Sequence, residues 1–167
     1  PFARLLTKEA YALGVEEVIV KWTDDIVTRE TYLHTSEERM TNVPQYKIDE
    51  SLDMIEKKAS RLSVRSADPD ALNGVDGKKL ASVQKANNVA FDAQRIAIQA
   101  NKVSWTVAAA AGAKWAAKVF PELATEEEQV DALWNEIFKT CRVYEADPVA
   151  AWDALEARLL SKADVLD

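Results

Sequence analysis

The sequence predicts an α/β fold, with a small parallel sheet linked by helical crossovers and a helical hairpin at the C-terminus. Short apolar runs typical of buried strands alternate with longer segments that repeat apolar residues every three or four positions. Strands separated by helices predict a parallel sheet, because parallel neighbours need a crossover connection. Two strongly marked helices then end the chain.

Three segments are predicted to be strands. The first spans about 17–22, where Val18, Ile19 and Val20 form a short apolar run. "SRLSV" and "VSWTVAAA" are the second and third candidates. Because three strands make a thin sheet, we expect a further neighbouring strand upstream of Pro1.

Helices are predicted on either side of these strands. The first carries apolar residues at helical spacing and should stop at Gly14, a typical C-terminal cap. "TDD" should start a second helix, and "VPQYKIDESLDMIEKK" a later one that ends at Lys57 and Lys58. The segment 78–102 lacks Pro and Gly and should be largely helical.

The predicted hairpin begins with Thr125 and Glu128, which have the spacing of a capping box. Asp147 and Pro148 should start its second helix as N-cap and first helical residue. The apolar stripes of the two helices contain Val130, Leu133, Trp134, Ile137, Phe138 and Cys141, then Trp152, Leu155, Leu159 and Ala163. In this pattern Cys141 should be a small buried side chain.

Charge divides the chain unevenly. Residues 1–121 carry a net charge of +1 and residues 122–167 one of −8, which together give −7 for the 167 residues. We therefore predict an α/β domain over 1–121 and an acidic helical connector over 122–167. Nucleic acid is not an expected partner, because phosphate binding needs a basic face. No apolar run approaches the roughly 18 residues of a membrane span, and a lone cysteine suits a reducing compartment.

Candidate binding residues lie where the predicted strands end. Asp24 and Asp25 follow the first strand, and Arg65, Ser66 and Asp68 follow the second. Open α/β sheets bind ligands at this edge, so Asp24, Asp25 and Arg65 are candidates for substrate binding. Simple helix capping is the alternative interpretation of the aspartates.

Other familiar sites are not indicated by the sequence. It contains no Gly-rich phosphate loop, and the single histidine, His34, lacks the spacing of a metal ligand. We therefore expect His34 at the surface near a helix end.

The segment "VSWTVAAAAGAKWAAKVFPE" resembles one that marks the thermophilic-type metalloaminopeptidases, the aminopeptidase T and aminopeptidase S family. "KWTDDIVTRETYLH" is similar to that family's W-x-D-D-x-x-T-R segment. "RLSVRSADPDALNGVD", "LWNEIFKTCRV" and "DPVAAWDALEARL" also resemble its segments, in the same order along the chain.

The resemblance implies a cytoplasmic, homodimeric enzyme that removes N-terminal residues from peptides, using two divalent ions, zinc or cobalt. Family members are longer, and their metal ligands lie in a following domain, so we expect this chain to be an N-terminal fragment that binds no metal. Its expected role is then to wall the substrate cavity or to support the dimer.

Two other interpretations stay open at this point. One is a non-catalytic α/β module that binds a small ligand near Asp24 and Arg65. The other is a helical interaction segment that acts through the acidic residues of 122–167.

Overall fold

The computed structural model describes residues 2–66 and 68–163, which form nine helices and two strands. The first compact unit, Pro1–Ala108, and the second, Ala109–Asp167, are each described by themselves below. The predicted domain boundary after residue 121 remains a prediction. The helices are α1 (Phe2–Ala12), α2 (Asp25–His34), α3 (Glu37–Thr41), α4 (Gln45–Glu56), α5 (Gly77–Ala90), α6 (Asp92–Gln99), α7 (Ala113–Val119), α8 (Glu126–Thr140) and α9 (Pro148–Ala163). The strands are β1 (Arg61–Arg65) and β2 (Trp105–Ala109).

The stop predicted at Gly14 is confirmed. Gly14 has a φ of 84°, its N–H donates to the Tyr11 carbonyl at 3.0 Å, and the Val15 N–H donates to the Ala10 carbonyl at 3.1 Å. These two bonds are the Schellman motif, which satisfies carbonyls that the end of a helix leaves without partners.

Three other helices end with the same pair of bonds around a residue that is not glycine. Lys58 follows α4, Asn101 follows α6 and Arg142 follows α8, with φ values of 52°, 50° and 58°. After α4, the Lys58 N–H donates to the Ile55 carbonyl at 3.0 Å, and the Ala59 N–H donates to the Met54 carbonyl at 2.9 Å. A side chain at positive φ is strained, so these turns carry a backbone cost that Gly14 avoids.

The sheet confirms the α/β fold class. β1 and β2 lie side by side and parallel, and α5 and α6 form the crossover between them. The Arg61 N–H donates to the Ser104 carbonyl at 2.9 Å, which sets the register with Arg61 beside Trp105.

The strand predicted over 17–22 is wrong. This stretch is irregular in the structure, and Ile19, Val20 and Trp22 are exposed. The Val18 N–H donates to the Tyr11 hydroxyl at 3.3 Å, a side-chain contact with α1. An apolar run becomes a strand only where a neighbouring edge supplies ladder hydrogen bonds, and the described residues place no such edge beside this one.

In the first unit, buried residues lie on the helices and just before β2. Among the residues of this unit that the structure describes, the buried hydrophobic ones are Val83 on α5, Ala97 on α6 and Val103. α3 and α6 both pack against α5, and α4 packs against α6.

The region predicted to be helical over 78–102 forms two helices, α5 and α6. They are divided at Phe91, where φ and ψ are −106° and 23°.

In the second unit, α7 packs against α8, with Ala116 and Leu133 buried. The capping box of Thr125 and Glu128 is confirmed, since each side chain bonds the other residue's backbone N–H. Trp134 stacks on Phe138 with ring centroids 5.3 Å apart.

α9 begins as predicted, because the Asp147 carboxylate accepts the N–H groups of Val149 and Ala150, both at 3.0 Å. The expected burial of Cys141 is wrong: it is exposed. α8 ends at Thr140, and the chain turns at Arg142, so Cys141 leaves the apolar stripe. Its carbonyl accepts the indole N–H of Trp152 at 3.2 Å.

Within residues 2–66 and 68–163, none of the helices combines the length and the apolar character that a membrane crossing requires.

Candidate functional site

A pocket of about 220 Å³ lies in the first unit, between the start of α2 and the loop that follows β1. It is lined by Asp25, Thr28, Asp68, Pro69, Ala71 and Leu72. The sequence predicted that polar side chains from these two places would lie together, and the structure brings Asp25 and Asp68 to the same pocket.

Asp24 caps α2. Its Oδ1 accepts the Val27 N–H at 2.9 Å, and its carbonyl accepts both the N–H and the hydroxyl of Thr28. An N-cap side chain satisfies one of the amides that a helix start leaves without a partner. The capping interpretation therefore holds for Asp24.

Asp25 has a different contact. Its Oδ2 accepts the backbone N–H of Asp68 at 2.8 Å, and Asp68 Oδ1 in turn accepts the N–H of Asp70 at 2.9 Å. The Asp25 carboxylate thus ties the first turn of α2 to the loop 68–76, across 43 residues of sequence. Because both aspartates hold backbone groups in place, each already has a structural role.

Arg65 is the last residue of β1, and its side chain is exposed. Asp68, three residues further along, lines the pocket instead, and Arg65 is not among the described residues that do so. Substrate binding by Asp24, Asp25 and Arg65 stays a prediction.

Two basic residues that the sequence did not single out complete the attachment of α2. Arg29 lies one helical turn after Asp25, and its Nε and Nη2 both donate to the Asn73 carbonyl at 3.4 Å. Lys79, on α5, donates through Nζ to the carbonyls of Tyr32 and, at 2.5 Å, of Thr35, where α2 ends. A cation near the carbonyls of a helix C-terminus is favourable. A lysine that binds backbone carbonyls has no sequence motif, so only the fold reveals these contacts.

The chemistry available at the pocket is limited. Its volume is below the roughly 300–1,000 Å³ of typical small-molecule sites. Within residues 2–66 and 68–163, no three His, Cys, Asp or Glu side chains group as ligands for a metal ion. His34 is the exposed last residue of α2 and pairs with Glu30 at 3.0 Å, so the predicted surface position near a helix end is confirmed.

A larger surface groove of about 520 Å³ lies where α5 meets α6, lined by Asn88, Val89, Asp92 and Arg95. Arg95 pairs with Asp92 on its own helix, and its Nη1 donates to Gln99 at 3.0 Å. The charged groups of this groove therefore bond within α6.

The whole chain is similar to known proteins. The sequence model of one family, described as thermophilic metalloprotease (M29), matches residues 1–167. The chain is 58% identical over 165 residues to aminopeptidase PepS of Streptococcus thermophilus and 42% identical over 166 residues to aminopeptidase AmpS of Bacillus subtilis. Each match covers 99% of this chain and 40% of the relative, so the chain spans about two fifths of the length of these relatives.

A solved structure has the same fold. The structure of wild-type AmpT from Thermus thermophilus matches with a TM-score of 0.78 and 35% sequence identity. The match covers 92% of this chain and 37% of that one.

Proposed function

The chain belongs to the thermophilic metalloprotease (M29) family, and we propose that it acts as part of a metal-dependent aminopeptidase that removes N-terminal residues from peptides. The observation that carries this proposal is the continuous match of residues 1–167 to that family. The names of the relatives, aminopeptidases PepS and AmpS, supply the proposed reaction.

The proposed enzyme would use two divalent ions, zinc or cobalt, which in such sites activate a water molecule and polarise a carbonyl. The described residues of this chain do not fit such a site. They bring no three potential ligands together, and the single histidine is paired with Glu30 on a helix surface. We therefore assign no catalytic step to this chain and propose that the ions are held by a further part of a longer polypeptide.

The proposed role of this chain is to wall the substrate cavity or to support a homodimer. The contacts of Asp25, Arg29 and Lys79 support a positioning role, because they attach α2 at its start, middle and end. The contacts of Asp25 and Arg29 also restrain the loop 68–76, at Asp68 and Asn73, and functional loops need such a rigid base. A cytoplasmic location is part of the same proposal.

The test uses two proteins: the 167-residue chain, and a chimera in which this chain replaces the matching 165 residues of aminopeptidase PepS. Hydrolysis of aminoacyl-p-nitroanilides is measured with added cobalt or zinc and again after chelation, with intact PepS as the positive control. The proposal expects chelator-sensitive hydrolysis by the chimera and none by the chain alone. Metal-dependent turnover by the 167-residue chain, or a folded chimera without activity, would contradict it.

A further inference from the structure

Asn73 is followed in the sequence by Gly74, whereas every other asparagine of this chain is followed by a residue with a side chain. Asparagine is thermolabile, because the backbone nitrogen of the next residue can attack its side-chain carbonyl carbon. A glycine in that next position has no Cβ to obstruct the attack. Both residues are exposed to water in the loop 68–76, between β1 and α5. This loop therefore holds the asparagine that is chemically most open to reaction.

The backbone at this site forms a turn that holds the reacting atoms apart. The Val75 N–H donates to the Leu72 carbonyl at 3.1 Å, and Gly74 has a φ of 85°. Asn73 is not among the described residues at positive φ, so the turn is of type II, in which the second residue has a ψ of about +120°. Attack requires ψ of the opposite sign, because in an L-residue only that rotation brings the next nitrogen alongside Cβ. The peptide between Asn73 and Gly74 must therefore flip before it can react.

Arg29, on α2, opposes that flip. Its Nε and Nη2 both donate to the Asn73 carbonyl at 3.4 Å, and the flip would turn this carbonyl away from the guanidinium group. Without this contact the flip would be easy, because glycine adopts either sign of φ. Packing around Gly74 does not fix the turn either: among the described atoms, an added Cβ would meet Arg29 Nη2 at 3.8 Å, an ordinary contact distance.

We propose that Asn73 is a site of spontaneous deamidation, and that the Arg29 contact with its carbonyl slows the reaction in the folded chain. The Gly74 N–H gives its proton to hydroxide, and its nitrogen forms a bond to Asn73 Cγ. The bond between Cγ and Nδ2 breaks as Nδ2 takes up a proton and leaves as ammonia. Water then opens the cyclic imide at one of its two carbonyls, which gives aspartate or isoaspartate. This proposal does not depend on the proposed function.

Either product would change the loop. A new carboxylate would join Asp68, Asp70 and Asp76, so the loop would gain a further negative charge. Isoaspartate also lengthens the backbone by one carbon within the turn that Leu72 and Val75 close. The Arg29 contact thus protects the chemical integrity of the loop that it also attaches to α2.

The first measurement follows deamidation of the 167-residue chain in mildly alkaline buffer, by mass spectrometry of tryptic digests. Trypsin releases Asn73 in the peptide 66–78, because it cleaves after Arg65 and Lys78. The same peptide, incubated alone, gives the rate without the fold. We expect the chain to react at Asn73 before any other asparagine, and more slowly than the peptide. Equal rates in chain and peptide, or an earlier reaction at another asparagine, would overturn the proposal.

The second measurement compares the chain with Arg29→Met, which removes the guanidinium group and keeps an unbranched stem. The Arg29 side chain is 42% exposed, so the variant should fold. It should deamidate about threefold to tenfold faster, the factor that corresponds to the net free energy of one hydrogen bond.

Lys79→Met is the matched control. Lys79 binds the other end of α2, at Thr35, so its loss loosens the helix and leaves the contact with Asn73 in place. Urea unfolding of both variants gives their stabilities, and Lys79→Met should deamidate more slowly than Arg29→Met. An unchanged rate in Arg29→Met would overturn the proposal. Equal acceleration by the two substitutions would also overturn it, because general opening of the fold would then set the rate.

Discussion

Replacing Lys79 with Met should destabilise the first unit, because the Lys79 ammonium binds the end of another helix. Its Nζ donates to the carbonyls of Tyr32 and Thr35, and the side chain is partly buried. Met keeps the apolar stem and its approximate length, so the substitution mainly removes the charge and the two hydrogen bonds.

The magnitude follows from those losses. A hydrogen bond to a charged group contributes about 1.5–3 kcal/mol, and a cation near a helix C-terminus about 0.3–1 kcal/mol. Two such bonds and the helix-end charge would together contribute about 3–7 kcal/mol in a buried site. Because part of the Lys79 side chain still meets water, we expect a smaller loss, of about 2 kcal/mol. In a domain of this size the thermal midpoint should fall by roughly 4–8 °C.

Lys78→Met is the matched control. Lys78 is the exposed neighbour of Lys79 in the first turn of α5, where a positive charge is unfavourable to the helix dipole. Both substitutions relieve that repulsion and change the net charge equally, so their difference isolates the contact with α2. Urea unfolding of both variants measures it. Two variants that agree within about 0.5 kcal/mol would show that the Lys79 contact contributes nothing to stability.

Three further predictions concern single positions. Lys58→Gly should stabilise the chain by about 0.5–1 kcal/mol in urea unfolding, because glycine adopts the positive φ of 52° without strain; a loss of stability would contradict this. Asp24→Ala should cost about 1 kcal/mol through the lost cap of α2, and an unchanged unfolding midpoint would show that the bond to Val27 contributes little. Cys141 is exposed, so a thiol reagent should label the native chain as fast as the urea-unfolded chain; strong native protection would contradict the exposure.

Features that depend on a few neighbouring residues were predictable from the sequence. The capping box at Thr125, the start of α9 at Asp147 and the stop at Gly14 all involve hydrogen bonds between residues no more than five positions apart. Such bonds form wherever the local chain adopts the turn, whatever lies around it. β1 and β2 were also predicted correctly, because their apolar runs pair with each other and a helical crossover connects them.

The candidate site was predictable only in part. The residues after the apolar runs at 17–22 and 60–64 were predicted to form the site, and the structure does bring Asp25 and Asp68 together there. Which residue after β1 faces the pocket depends on how the loop turns, and the sequence offered no means to choose Asp68 over Arg65. The run at 17–22 failed as a strand for a related reason, because a strand needs a partner edge as well as apolar side chains.

The last prediction concerns α7, where the buried side chain is a small one. Large residues dominate a hydrophobic pattern, and the spacing of Trp115 and Val119 would place both on one helical face. In the structure Val119 is exposed, Trp115 is only partly buried and Ala116, between them, is fully buried. α7 packs against α8, and Ala116 is its buried residue.

Two substitutions measured by denaturant unfolding test that geometry. Trp115→Ala should cost about 2 kcal/mol, less than the roughly 3–5 kcal/mol of a fully buried tryptophan. Ala116→Leu should cost about 2–3 kcal/mol, because the added carbons have no space between the helices. A tolerated leucine at 116 together with a loss above about 4 kcal/mol for Trp115→Ala would place the packed face on the tryptophan side instead. The helix would then be rotated by roughly 100°, the angle between successive residues on an α-helix.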